Sequence, residues 1–260
     1  MSIVFDVPKF SLENKYRIKW GPYNNKVTPL HRLSAIQKEV IERMCTLKYC
    51  TRDQLALQLK NKNVRKGKQL VKQLTHMGFL QEHTLQSGIA DSATSFYSVS
   101  KPVLEQLHME VPTKRDTIHT VLSYLIAAQF FLHFYRSCVQ VEIKEDEKPF
   151  LQSIRYGENE YKVVSLRSRL DVSEFFSYIK YNENTQGMIF VMVEDLSVVS
   201  AFLDLEQTKV SNLCFMTDPY LMSDNLSQGF FFIQEGDWIP IPNPIFINIR
   251  ETAVEINGTL

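Results

Sequence analysis

The sequence predicts an α+β protein built in two parts, and three observations carry that reading. First, charge is divided. The 260 residues hold 29 Lys+Arg and 29 Asp+Glu, a net of zero, yet residues 1–115 hold 19 Lys+Arg against 9 Asp+Glu and residues 116–260 hold 10 against 20. Such asymmetry points to a nucleic-acid or membrane-surface contact by the basic part. Second, the apolar pattern changes at the same place, from helical spacing to short apolar strands alternating with helices. Third, 44% hydrophobic and 22% charged residues describe a folded chain and exclude the disordered and collagen-like classes.

Residues 1–32 contain Pro8, Gly21, Pro22 and Pro29 and show no helical period. They read as an extended basic arm or short strands, with Lys9, Lys15, Arg17, Lys19 and Lys26. Ser34 followed by Gln37 fits a capping box for a first helix, whose apolar stripe is Ile36, Val40, Ile41 and Met44. Thr51 caps a second helix, Arg52 to about Lys60, with Leu55, Ala56 and Leu59 inward. A third helix spans about Asn63 to Met77, with Val64, Val71, Leu74 and Met77 on its apolar side and Leu70 beside it. Gly67 inside that run allows the start to slip to about Lys68, and Gly78 is a C-terminal stop. Strands follow at Phe79–Glu82 and Ser95–Val99, and Ser100 with Pro102 opens a closing helix. Over residues 33–115 these elements describe a winged helix-turn-helix with the third helix in the DNA-reading position.

Residues 116–260 read as an α/β domain with a mixed sheet covered on both faces. It opens with a long helix, about Asp116 to Ser137, followed by strands at Val139–Ile143, Phe150–Tyr156 and Tyr161–Leu166, with a turn at Gly157-Glu158-Asn159. Asp171 or Ser173 starts a helix, Met188–Val193 is a fully apolar strand, and Leu196–Leu205 is a helix. Strands at Leu213–Thr217 and Phe230–Ile233 flank a short helical piece, and the stretch from Asp237 to Pro242 is too rich in proline for a central strand.

The third helix carries the chemistry. Lys62, Arg65, Lys66, Lys68 and Lys72 supply charge against phosphates, while Asn63, Gln69 and Gln73 can pair with adenine edges and Arg65 with guanine. Arg65, Lys68, Gln69, Lys72, Gln73 and His76 can share one broad outer face, and no acidic residue occurs between Asp53 and Glu82. The wing, residues 83–95, contains His83, Gln86, Ser87 and Asp91 but no Lys or Arg, so Arg17 and Lys19 of the arm are the better second contact. That arm either follows a groove or packs on the domain as a strand.

The succession Leu33-Ser34-Ala35-Ile36-Gln37, Thr51-Arg52-Asp53-Gln54-Leu55, Val71-Lys72-Gln73-Leu74, Met77-Gly78-Phe79-Leu80 and Phe96-Tyr97-Ser98-Val99-Ser100 resembles the replication-relaxation family. These are winged-helix proteins of plasmids and integrative elements in Gram-positive bacteria. The resemblance covers about residues 30–235 in layout and 33–108 in motif. It implies DNA binding at an origin, transfer site or operator, and a nuclease-like α/β domain after the winged helix, here a degenerate restriction-endonuclease-like fold.

Nucleases of that fold hold Mg²⁺ with an Asp and a Glu-x-Lys on the next strand. Glu160-Tyr161-Lys162 fits the spacing, with Asp146 and Glu142 as further acids, but Glu160 lies beside a turn and the strand interior holds Val163, Val164 and Ser165. A surface hairpin with charged edges is the simpler reading. P-loop, G-x-G-x-x-G, G-x-S-x-G and H-E-x-x-H motifs are absent, and His31, His76, His83, His108, His119 and His133 are scattered. His119 and His133 read as core or interface residues. Cys45, Cys50, Cys138 and Cys214 form no C-x-x-C pair and read as reduced. The N-terminus lacks a signal-peptide pattern. The uncharged run from Thr117 to Tyr135 includes His119, Gln129 and His133, which favours a buried helix over a membrane span.

The expectation is therefore a cytoplasmic, non-enzymatic, sequence-specific double-stranded DNA-binding protein of a plasmid or mobile element, with no cofactor and no metal. It would act in replication, transfer or transcriptional control as a homodimer, with a protein partner on the acidic domain and no membrane contact. A metal-dependent nuclease and a winged-helix interaction scaffold are the alternatives.

Overall fold

The computed structural model describes residues 9–22, 29–59, 63–89, 92–137, 141–182, 187–223 and 229–241. The chain divides into two units, Met1–Val139 and Gln140–Leu260. The long helix expected to open the second domain thus belongs to the first unit. Asp116 and Arg136 move with it together, so the opposition of a basic and an acidic half is unchanged.

In the first unit, α1 (Ala35–Leu47) starts with the expected capping box. Ser34 Oγ accepts from the Gln37 N–H and Gln37 Oε1 accepts from the Ser34 N–H. Val40, Ile41, Met44 and Leu47 are buried, whereas Ile36, in the first turn, is 39% exposed rather than part of the core. β2 (Cys50–Thr51) leads directly into α2 (Arg52–Leu59). Thr51 and Gln54 satisfy each other there, with the Thr51 N–H donating to Gln54 Oε1 at 2.8 Å and the Gln54 N–H to Thr51 Oγ1 at 3.3 Å. Leu55, Ala56 and Leu59 are fully buried, as the spacing requires.

α3 (Val64–His76) begins at Val64 and does not slip to Lys68, because Asn63 caps it: its Oδ1 accepts from the Lys66 N–H at 3.0 Å. Val71 and Leu74 are buried, but Val64 is 37% exposed and lies outside the core. Gly78, at φ 84°, ends the segment, and β3 (Leu80–Gln86) and β4 (Ala93–Val99) form a hairpin. Both strands extend beyond the apolar patches that announced them, since the ladder continues through polar residues such as Thr84 and Ser95. Ser100 starts α4 (Lys101–Gln106), but its hydroxyl donates to the Gly78 carbonyl at 2.6 Å instead of capping the helix.

β1 (Arg17–Lys19) joins the hairpin, giving an antiparallel sheet in the order β1-β3-β4-β2. α5 (Ile118–Ser137) packs against α1, α2 and β2, and its Leu125 carbonyl accepts from Gln54 Nε2 at 2.9 Å. It is long and apolar enough to cross a membrane, but 67% of the window Ile118–Tyr135 is buried inside the protein. Cys45, Cys50 and Cys214 are unpaired, and Cys138 lies outside the described residues.

The second unit is a seven-stranded mixed sheet. Its strands are β5 (Glu142–Glu145), β6 (Gln152–Tyr156), β7 (Asn159–Leu166), β8 (Met188–Val193), β9 (Leu213–Thr217), β10 (Phe230–Gln234) and β11 (Asp237–Ile241). They run in the order β11-β10-β9-β8-β7-β6-β5. Only β7, β8 and β9 pair in parallel. That is why β8 reads as one apolar run: Ile189 to Val193 are all buried, leaving no polar alternation. Pro240 lies on β11 at the sheet edge, where a missing donor is tolerated.

Four expectations change here. The strand expected at Val139–Ile143 is β5 (Glu142–Glu145), and Val139 and Gln140 lie outside the described residues. α6 (Arg169–Tyr181) begins two residues before Asp171, because Ser168 is the cap and Asp171 is its partner in a capping box. The segment Leu196–Asp204 is a kinked 3₁₀ helix rather than an α-helix, with β-branched Val198 and Val199 at the kink. Phe150 precedes its strand and packs in the core with Val164, Phe175 and Ile179. α7 (Gln207–Val210) and α8 (Asp218–Leu221) complete the unit.

Candidate nucleic-acid interface

α3 is held by a close crossing with α2. A Cβ on Gly67 would lie 2.2 Å from the Ala56 carbonyl oxygen and 2.8 Å from Ala56 Cα, so glycine lets the two backbones meet. With Gly67, Val71 and Leu74 turned inward, the 3.6-residue period turns Arg65, Gln69, Lys72, Gln73 and His76 directly outward. Lys66 flanks this stripe on one side and Lys68 on the other. All seven side chains are exposed, as is Asn63. Lys62 lies outside the described residues.

Two of the expected contacts already have work to do. Lys68 Nζ pairs with Asp53 Oδ1 of α2 at 2.5 Å, which tethers it to the helix pair. Asn63 uses its carbonyl oxygen as the cap of α3, leaving its amide N–H groups as donors. The remaining face presents cations and carboxamides with no carboxylate on the helix. Such a surface can neutralise phosphates and make bidentate hydrogen bonds to base edges.

Arg17 and Lys19 sit on a different element. They are exposed on β1, the sheet's edge strand, paired opposite Gln86 and Thr84. The arm is therefore a packed strand over these residues rather than a free extension. Its anchor is His83. The ring is 3% exposed, Nδ1 accepts from the Gly21 N–H at 3.1 Å, and Nε2 donates to Ser98 Oγ at 2.9 Å. Trp20 stands edge-on to His83 and Phe96, with ring centroids 4.8 Å and 5.9 Å away. Burial, assisted by the Arg115 charge and opposed by Glu82, lowers the imidazole pKa to about 4, so the ring is neutral at pH 7. Nothing in local spacing marks this anchor, because the partners are 62 residues apart.

In the second unit, Lys162 does meet Asp146 at 3.5 Å, and its Nζ lies 4.4 Å from the Phe150 ring centroid. Glu160 turns to Arg155 at 3.9 Å and Glu142 to Lys144 at 3.9 Å, so each acid has its own cation. Among the described residues, no group of three or more His, Cys, Asp or Glu side chains is arranged to hold a metal ion. An unforeseen pair lies deep in this unit. Arg167, just past the carboxyl end of β7, binds Asp218, just past β9, through its two terminal guanidinium nitrogens at 2.5 Å and 2.8 Å, with both side chains buried.

No protein-family model, no curated protein and no solved structure matches the chain.

Proposed function

We propose that the first unit is a winged-helix module that binds double-stranded DNA, with α3 as its reading helix. The observation that carries this reading is the outward stripe Arg65, Gln69, Lys72, Gln73 and His76, exposed on a helix without a carboxylate and locked by the Gly67–Ala56 crossing. Rigid presentation matters because base readout needs side chains aimed within a groove. Helix, helix, hairpin and closing helix in sequence support the winged-helix assignment. Sequence preference comes from Gln69, Gln73 and Arg65, and phosphate attraction from Lys66 and Lys72.

The motif resemblance extends the proposal to replication, transfer or transcriptional control on a plasmid or mobile element, with the acidic unit serving self-association or a protein partner. Fluorescence anisotropy with duplex DNA at low and high salt tests it. The wild type binds tightly at low salt, and Arg65→Ala with Lys72→Ala weakens binding at least tenfold. No binding at low salt, or binding indifferent to that double substitution, overturns it.

A further inference from the structure

The sheet of the first unit offers a second surface to the same ligand, an inference that rests on the DNA reading above. Residues directly opposite in an antiparallel pair project to one face. Arg17 stands opposite Gln86 and Lys19 opposite Thr84. β4 continues that face, with Ala93 opposite Gln86, Ser95 opposite Thr84 and Tyr97 opposite Glu82. Toward the other end this face buries Leu80, Tyr97 and Val99, and the opposite face buries His83, Leu85 and Phe96, so the polar part is the Thr84–Gln86 end.

The polar face thus has two cations on its rim and short or amide-bearing side chains beside them. Arg17 and Lys19 are both exposed, and among the described residues neither has an ion-pair partner. At two strand residues apart they are about 6.6 Å from each other. Among the described residues of β1, β3 and β4 this face has one carboxylate, Glu82, which is already engaged by Arg52 at 2.9 Å. Although burial opposes it, the Ser95 and Tyr97 hydroxyls and the Arg52 charge hold Glu82 below the usual carboxylate range. Arg52, the first residue of α2, reaches both Glu82 and the Tyr97 hydroxyl on this face, which ties α2 to it.

We propose that this face, β1 with the Thr84–Gln86 end of the hairpin, grips the DNA backbone beside α3 without reading bases. Arg17 and Lys19 neutralise two phosphates, while the Thr84 hydroxyl and Gln86 amide donate to phosphate oxygens. It supplies the cationic second contact that the hairpin's own sequence lacks.

The test is the salt dependence of duplex binding by the full chain, measured on two unrelated sequences. For Arg17→Ala with Lys19→Ala, the slope of log affinity against log salt drops by about two. The affinity lost between about 50 and about 200 mM salt then shrinks by about tenfold, equally on both sequences. Thr84→Glu, which alters neither cation, weakens binding on both sequences. If wild-type binding depends on Arg65 and Lys72 but these slopes and affinities do not move, this surface is overturned and the reading helix stands. If the wild type does not bind duplex DNA, both proposals fall.

Discussion

Gly67 of α3 stands so close to Ala56 of α2 that a β-carbon at position 67 would lie 2.2 Å from the Ala56 carbonyl oxygen. The obstacle is backbone, which cannot rotate aside. Gly67→Ala therefore forces the helices apart, and a urea melt should show a loss of about 1–3 kcal/mol, with weaker duplex binding because the outward stripe is displaced. Gln69→Ala, on the exposed face, should leave the melt within about 0.5 kcal/mol. Equal melts for the two variants would remove the close crossing as the reason for the glycine.

Asn63 separates the structural role of α3 from its proposed binding role. Asn63→Ala deletes the cap and should cost about 1 kcal/mol. Asn63→Asp keeps an accepting oxygen at the same place and should retain wild-type stability, yet its negative charge at the basic face should weaken DNA binding. A melt and an anisotropy titration on both variants read the two effects independently.

His83 makes stability depend on acidity. Its folded pKa of about 4 lies below the ordinary 6.5, so the unfolded chain takes up the proton first as pH falls. The contribution of the neutral ring is complete above about pH 6.5, declines between 6.5 and 4, and is gone below 4. The total is at most about 3 kcal/mol. His83→Gln should flatten this part of the pH profile in denaturant melts. A wild-type profile that is flat across that window would contradict the buried, neutral ring.

The Arg167–Asp218 pair links the ends of two parallel strands in the buried interior of the second unit. Asp218→Ala leaves a buried guanidinium unmatched and should cost about 3–5 kcal/mol. Replacing both partners, Arg167→Met with Asp218→Leu, should recover most of that loss, because neither charge is then stranded. Thermal melts of the two single variants and the double variant give the cycle. Additive losses would mean that the two residues act separately.

Much of this architecture can be read along the chain because its signals are local. The Ser34–Gln37 box, the Thr51 cap, Gly78 at positive φ and the unbroken apolar run of β8 each act within a few residues, and each element is found where its signal lies. The outward polar face of α3 follows in the same way, from the fixed angular step of a helix. Where local signals compete, the sequence reading slips. Asp171 resembles a cap but serves Ser168, and Leu196–Leu205 has a helical pattern whose adjacent valines accompany a kink.

Contacts between distant segments decide the remainder. Gly67 looks like a weakness until Ala56 is beside it, and the basic arm could follow a groove or pack as a strand until Arg17 and Lys19 pair with β3. Lys68 is a spare cation until Asp53 reaches it, and nothing in their spacing joins Arg167 to Asp218 across 51 residues. Charge, periodicity and caps are properties of a residue and its near neighbours. Close approach, register and buried pairing depend on the three-dimensional path that brings remote parts of the chain together.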